Sequence, residues 1–258
     1  MTRRLAASLR RSAAGTALGF ALTLFACGAP DRDDPNTVHV VVAEPEDGVA
    51  DEPSDGGSLT RSDLSAPDRD PLAILSALEL RADGTYLHEL LDARDGWNFR
   101  WPDRRLEAMR VWIEPSPLAG YREPYARAVE QAFHAWAEIG LPFIFTVVRD
   151  SARAEVHVTW VDRFDGRMTG RTNWRHDQHG WILGGSIEMA LHLPDGRPVT
   201  LEGVRAVALH EVGHLLGLDH PADTASVMSA QVFVTQMSEA DRRTARLVYD
   251  LPPGRIRP

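Results

Sequence analysis

Apolar positions along residues 71–258 fall into two alternating periods. Leu72, Ile74, Leu75 and Leu78, then Leu87, Leu90 and Leu91, recur at helical spacing and predict two short helices near 71–81 and 84–93. Tyr125, Val129, Phe133 and Trp136 form one apolar stripe, predicting a long amphipathic helix over 123–139 that Gly140 ends. Period-two segments lie between and after these. Strands are expected at 109–113, at 143–148 and at 155–161, where Val156, Val158 and Trp160 alternate with His157 and Thr159. Two more are expected at 170–174 and 181–192, separated by a turn-rich stretch. Thr200 then caps an apolar helix. Ser238 and Asp241 form a capping box that opens a last helix running to Tyr249. No internal repeat is present. The interleaving predicts an α+β fold, a twisted mixed sheet with helices packed on it.

The pattern fails before residue 71, and composition says why. The chain has 258 residues, 43% of them apolar, enough for one or two domains with a proper core. Residues 28–70, however, hold 12 acidic and 3 basic side chains among Pro, Gly and Ser, with only the 38–42 patch to bury, so they read as a disordered acidic linker. Their carboxylates lack the alternating spacing of a calcium loop. Residues 71–258 carry only a mild negative charge, so no basic footprint for nucleic acid exists. Ahead of the linker, Arg3, Arg4, Arg10 and Arg11 precede an apolar run ending at Cys27, the one cysteine of the chain. That is a signal peptide in form, over 1–27, and the run is shorter than the ~20 residues of a spanning helix.

The chemistry is concentrated in 210–220, which reads H-E-V-G-H-L-L-G-L-D-H. In a helix, positions i and i+4 lie ~40° apart around the axis, so His210 and His214 present two imidazoles to one point. Glu211, ~100° from His210, is not aimed at that point but can reach a water held there. Gly217 suits the left-handed stop that ends such a helix, after which His220 can return as a third ligand. Three neutral imidazoles leave the fourth corner of a tetrahedral Zn²⁺ open, the mark of a catalytic rather than a closed structural site. The expected reaction is hydrolysis of a peptide bond by a metal-activated water, with Glu211 as general base and then as proton donor to the leaving amine. A site that uses Glu239 as a downstream third ligand is disfavoured, because His220 completes the set and Glu239 begins the capped helix. From another class, a non-catalytic zinc-binding surface or adhesion module would keep the histidines but would have no need of Glu211.

These residues resemble the metzincin signature H-E-x-x-H-x-x-G-x-x-H, and within that group the matrixins, in which a methionine turn follows; Met228 in S-V-M-S is the candidate. The resemblance covers about 100–252 and implies a zincin-like sheet with an active-site helix, a backing helix and a C-terminal helix. The catalytic domain is placed at 101–252, after a helical segment at 71–100 that is either a pro-segment or packing helices, and before a C-terminal tail at 253–258. The resemblance also implies an edge strand antiparallel to bound peptide, which puts Gly170, Arg171, Thr172 and Asn173 in contact with a protein or peptide substrate, and a pocket wall at 229–235. The family's structural zinc or calcium would have to draw on Asp162, Asp165, His176, Asp177, His179 and His192, which do not follow the usual order, so one catalytic zinc is expected. At the N-terminus, L-F-A-C resembles the lipobox of bacterial lipoproteins, implying lipidation of Cys27, export, and anchoring in the cell envelope. Gly28 after it favours the outer membrane, and nothing calls for more than a monomer.

Overall fold

A computed structural model of the chain describes residues 80–256 apart from Phe233, together with Leu24, Phe25, Val41, Val42, Ile74 and Ser76. Cys27 and most of the predicted signal and linker lie outside the described residues. Of the first predicted helix only Ile74, Ser76, Leu80 and Arg81 are described, all helical.

Five strands make one mixed sheet: β1 (Arg104–Ile113), β2 (Phe143–Val147), β3 (Val156–Val161), β4 (Gly170–His176) and β5 (Ile182–Ala190), in the order β2-β1-β3-β5-β4. β2, β1, β3 and β5 run parallel, and β4 pairs antiparallel to β5, with Thr172 opposite Ile187. The backbone of Val41–Val42 pairs in parallel with Arg175 and His176 at the far end of β4. Along Gly170–Trp174 the outer edge of β4 has no strand partner among the described residues. Leu24–Phe25 pairs antiparallel with Gln231–Val232.

Beyond the partly described helical residues at 74–81, four helices are described: α1 (Leu87–Ala93), α2 (Glu123–Ala137), α3 (Leu201–Leu215) and α4 (Glu239–Asp250). The stripe Tyr125, Ala128, Val129, Ala132, Phe133 and Trp136 is buried, and α2 stops at Gly140, whose φ of 86° needs no Cβ. α3 starts as expected, with Thr200 Oγ1 accepting from Gly203 N at 3.0 Å. It is apolar on most sides, and most of its 15 residues are buried, so it runs through the core rather than along it. Two side chains of α2 key it to α3 and its approach: Tyr125 OH donates to Val199 O, just before the Thr200 cap, at 2.6 Å, and Trp136 Nε1 to Leu209 O at 2.9 Å. No helix among the described residues is long and apolar enough to cross a membrane.

Most element boundaries match the sequence reading within two residues. β1 departs from it, beginning at Arg104 rather than at Met109. Its register with β2 shifts between Arg104 and Met109, and Leu106 is fully exposed in that irregular stretch, so the pairing continues where the alternation breaks. At the other end, Gly254–Arg255, in the segment read as a tail, pairs antiparallel with Trp97–Asn98, and buried Asn98 Nδ2 donates to Val248 O and Pro252 O at 3.0 and 2.9 Å.

The capping box of α4 does more than cap. Asp241 is fully buried and accepts from Ser238 N at 2.7 Å, Ser238 Oγ at 2.8 Å, Val227 N at 3.1 Å, Tyr86 OH at 3.3 Å and Ser226 Oγ. One carboxylate thus ties α4 to the 226–229 turn and to the start of α1. Asp241→Ala strands these donors in the core and is expected to cost about 3 kcal/mol in urea unfolding, with Asp241→Asn costing clearly less because it keeps one oxygen acceptor.

Candidate metal centre

The last turns of α3 carry His210 and His214 on one face, and the chain leaves the helix through Gly217 to bring back His220. Gly217 has a φ of 92°, and a Cβ there would collide with Phe99 O, so the turn needs glycine twice over. The three Nε2 atoms lie 2.9 Å (His210 to His214), 3.0 Å (His214 to His220) and 3.3 Å (His210 to His220) apart. Three nitrogens each ~2.0–2.1 Å from one tetrahedral zinc would stand about 3.4 Å apart, so the spacing fits such an ion. The other ring nitrogens settle the tautomers. His210 Nδ1 lies 2.8 Å from Val227 O and His214 Nδ1 lies 3.0 Å from Leu218 O, and a carbonyl can only accept. Both rings therefore carry their proton on Nδ1, leaving Nε2 lone pairs directed at one another, an arrangement that a cation between them stabilises. Among the described residues this is the one cluster of His, Cys, Asp and Glu whose ligand atoms converge, all within 4.8 Å.

Electrostatics point the same way. Burial, reinforced by the neighbouring imidazoles, holds His210 and His214 well below the usual histidine range, and burial lowers His220 as well. All three rings are thus neutral at physiological pH. Burial also pushes the Asp219 carboxyl up, but the Arg94 guanidinium and the N–H of His220, at 2.8 Å, outweigh it and keep Asp219 below its ordinary value.

Beneath the triad, Met228 is fully buried in the turn formed by Ser226, Val227, Met228 and Ser229. Its Sδ occupies the space that a Cβ on Gly213 would take, so the glycine of the H-E-V-G-H run is required by the methionine. The turn is held by Met228 N donating to Ser226 Oγ at 2.9 Å and by the Asp241 contacts. Its Val227 carbonyl is the acceptor that orients His210.

Glu211 is fully buried, and desolvation lifts its carboxyl to about 8, against the opposing hydrogen bond from Thr172. Thr172 Oγ1 lies 2.7 Å from Glu211 Oε2 and 3.0 Å from Glu211 O. Gly170 faces the same carboxylate, and a Cβ there would strike Oε1. The four β4 residues expected to meet substrate therefore divide by strand alternation. Gly170 and Thr172 are buried and face Glu211, while Arg171 and Asn173 turn to the other face, Arg171 donating from Nε to Glu188 at 2.7 Å. Thr172 as the partner of Glu211, and Arg94 as the partner of Asp219, are roles the sequence reading missed. The inward alternation of β4 could have pointed to the first.

Several of the residues considered for a second metal have other partners. His192 Nδ1 contacts Asp162 Oδ1 at 2.8 Å. His176 Nδ1 meets Asp177 O at 2.7 Å, and Asp177 Oδ1 accepts from the backbone N–H groups of His179 and Trp181, each at 2.9 Å. Asp177 thereby spends its carboxylate on the β4–β5 turn.

Comparison with known proteins agrees with this geometry. The family model for matrixins, peptidase family M10, matches residues 108–250. The chain is 30% identical to metalloendoproteinase 5-MMP of Arabidopsis thaliana over 146 residues, which is 50% of this chain and 38% of that protein. It is 27% identical to interstitial collagenase of Sus scrofa over 150 residues, 53% of this chain and 30% of the collagenase. The chain thus spans about a third of the length of the curated relatives it matches. The zinc dependence of the matched family and the convergence of His210, His214 and His220 agree, and with more than half of its residues inside the match, this chain belongs to the matrixin family.

Proposed function

We propose that the chain is a zinc-dependent endopeptidase, with His210, His214 and His220 as the ligands and Glu211 as general base. The observation that carries the reading is the set of three Nε2 atoms meeting within 3.3 Å beside a buried carboxylate. When bound, zinc would supply a Lewis acid and acidify the attacking water. Glu211 takes the proton from that water and passes it to the leaving amine, without any covalent acyl-enzyme. Thr172 restrains the carboxylate to one orientation. The backbone of Gly170, Arg171, Thr172 and Asn173 offers its outer edge to an antiparallel peptide, and 229–235 walls the pocket beyond the scissile bond.

The same reading takes 1–27 as a lipoprotein-type signal, with Cys27 as the lipidated residue that anchors an exported enzyme, acting as a monomer, at the cell envelope. The acidic 28–70 linker is the tether. Metabolic labelling with a radioactive fatty acid is expected to mark the protein and to fail with Cys27→Ser; equal labelling of the variant would overturn the anchor.

The full chain is expected to cleave an unfolded protein substrate, to lose turnover on treatment with a chelator, and to regain it with added zinc. Glu211→Ala should reduce kcat by at least about 10³-fold while zinc remains bound, and turnover equal to wild type would refute the role of the base. Thr172→Val removes an O–H donor that favours the ionised carboxylate, so kcat should fall roughly tenfold. Because that loss raises the proton affinity of Glu211, the acidic limb of kcat against pH should move to higher pH. An unmoved limb would separate Thr172 from the base.

A further inference from the structure

We infer that Arg94 is a positioning residue for the metal site, and that the segment around it, 80–100, is a permanent part of the peptidase rather than a removable pro-segment. The inference rests on the three histidines being the ligands, as proposed above. Arg94 is the residue that ends α1, and its side chain is only 14% exposed. Its guanidinium spends all three nitrogens on three consecutive residues of the ligand turn: Nη1 donates to Gly217 O at 2.8 Å, Nη2 to Leu218 O at 3.1 Å, and Nε to Asp219 Oδ2 at 3.1 Å.

Two of these acceptors also hold ligands. Leu218 O receives His214 Nδ1, and Asp219, through Oδ1, receives the backbone N–H of His220. One planar fork therefore sets the carbonyl that orients the second histidine and the carboxylate that orients the third. The Gly217 and Leu218 carbonyls and the Asp219 carboxylate follow one another in the turn just past α3, so a single cation meets three acceptors there. A lysine could supply the charge but not the three-point geometry.

Charge and geometry make opposite demands on the metal. A guanidinium near the site repels a divalent cation, and it contributes to lowering His220. Asp219, paired with it, neutralises much of that field at short range. What remains is the restraint on the turn, which favours metal binding by fixing the rings before the ion arrives.

The rest of the segment is joined to the same region. Glu89 Oε2 accepts from Ala222 N at 2.8 Å, two residues beyond His220. Tyr86 reaches Asp241 through its hydroxyl, and Tyr86 N donates to Thr244 Oγ1 at 3.1 Å. Leu87, Leu90 and Leu91 are buried in the main core, and Phe99 O is the group that forbids a side chain on Gly217. Tyr86, Leu87, Glu89, Leu90, Leu91, Arg94 and Phe99 all precede the part matched by the family model, which begins at 108. Excising them would expose core leucines and release the turn that carries His220.

The test compares full-length wild type, Arg94→Ala and Arg94→Lys by zinc affinity in chelator competition, by the visible spectrum of the Co²⁺-substituted protein, and by kcat and KM on one peptide. Arg94→Ala is expected to weaken zinc binding roughly 10- to 100-fold and to alter the cobalt spectrum, with KM within about twofold of wild type; Arg94→Lys should fall between the two. Should Arg94→Ala fail to fold, Arg94→Lys gives the same reading. A lysine variant with wild-type zinc affinity and cobalt spectrum overturns the positioning role, and so does an alanine variant that binds zinc more tightly, which would mean that charge outweighs restraint. Wild type that binds no zinc would instead sink the proposed function. Mass analysis of the active species should find Arg94 retained; an active form beginning after residue 94 overturns the permanence of the segment.

Discussion

Lone pairs do not gather in a protein interior unless something holds them there. Here three imidazole nitrogens stand within 3.3 Å of one another, two of them from buried rings, in surroundings that disfavour a proton on any of the three. The surrounding structure maintains that convergence through backbone carbonyls. Val227 O fixes the first ring and Leu218 O the second, while Asp219 fixes the backbone of the third. Each of these groups is itself tied down: Val227 by Asp241 on α4, and the 217–219 turn by Arg94 at the end of α1. The two outer helices thus serve the centre through two separate turns.

Glu211 belongs to the same design under the opposite constraint. In the proposed mechanism the ligands need to be neutral and unprotonated, whereas the base must exchange a proton reversibly. Burial serves both, because desolvation disfavours charge of either sign: it lowers the histidines and lifts the carboxyl. Thr172 and the bare face of Gly170 shape the small space in which the carboxylate sits. β4 therefore has two functions at once, closing the base from within while leaving its outer edge available.

Much of this was legible in the residues. The spacing of His210, His214 and His220, the glycine at 217 and the methionine at 228 can be read because each is a local rule of helix geometry, turn conformation or motif. The sheet was legible wherever alternation was regular, and it blurred in β1, where the shift between Arg104 and Met109 removes the period. Arg94 was invisible for a different reason: 125 residues separate it from Asp219, and nothing in the sequence around it distinguishes it from the many exposed arginines of the chain. Asp241 was seen as half of a capping box, and its contact with the methionine turn could not be deduced because that depends on how α4 docks.

The burial of α3 has a consequence for how the proposed enzyme could diversify. From Val204 to Leu215 nearly every side chain of this helix is committed either to the core or to the ion and its base, so almost no position there can vary without disturbing folding or chemistry together. In the proposed reading, freedom to change what is cut would then reside outside α3, on the borders of the site, as at exposed Gln231. Selection, or a protein engineer, could rewrite those borders while the hearth they enclose stays untouched.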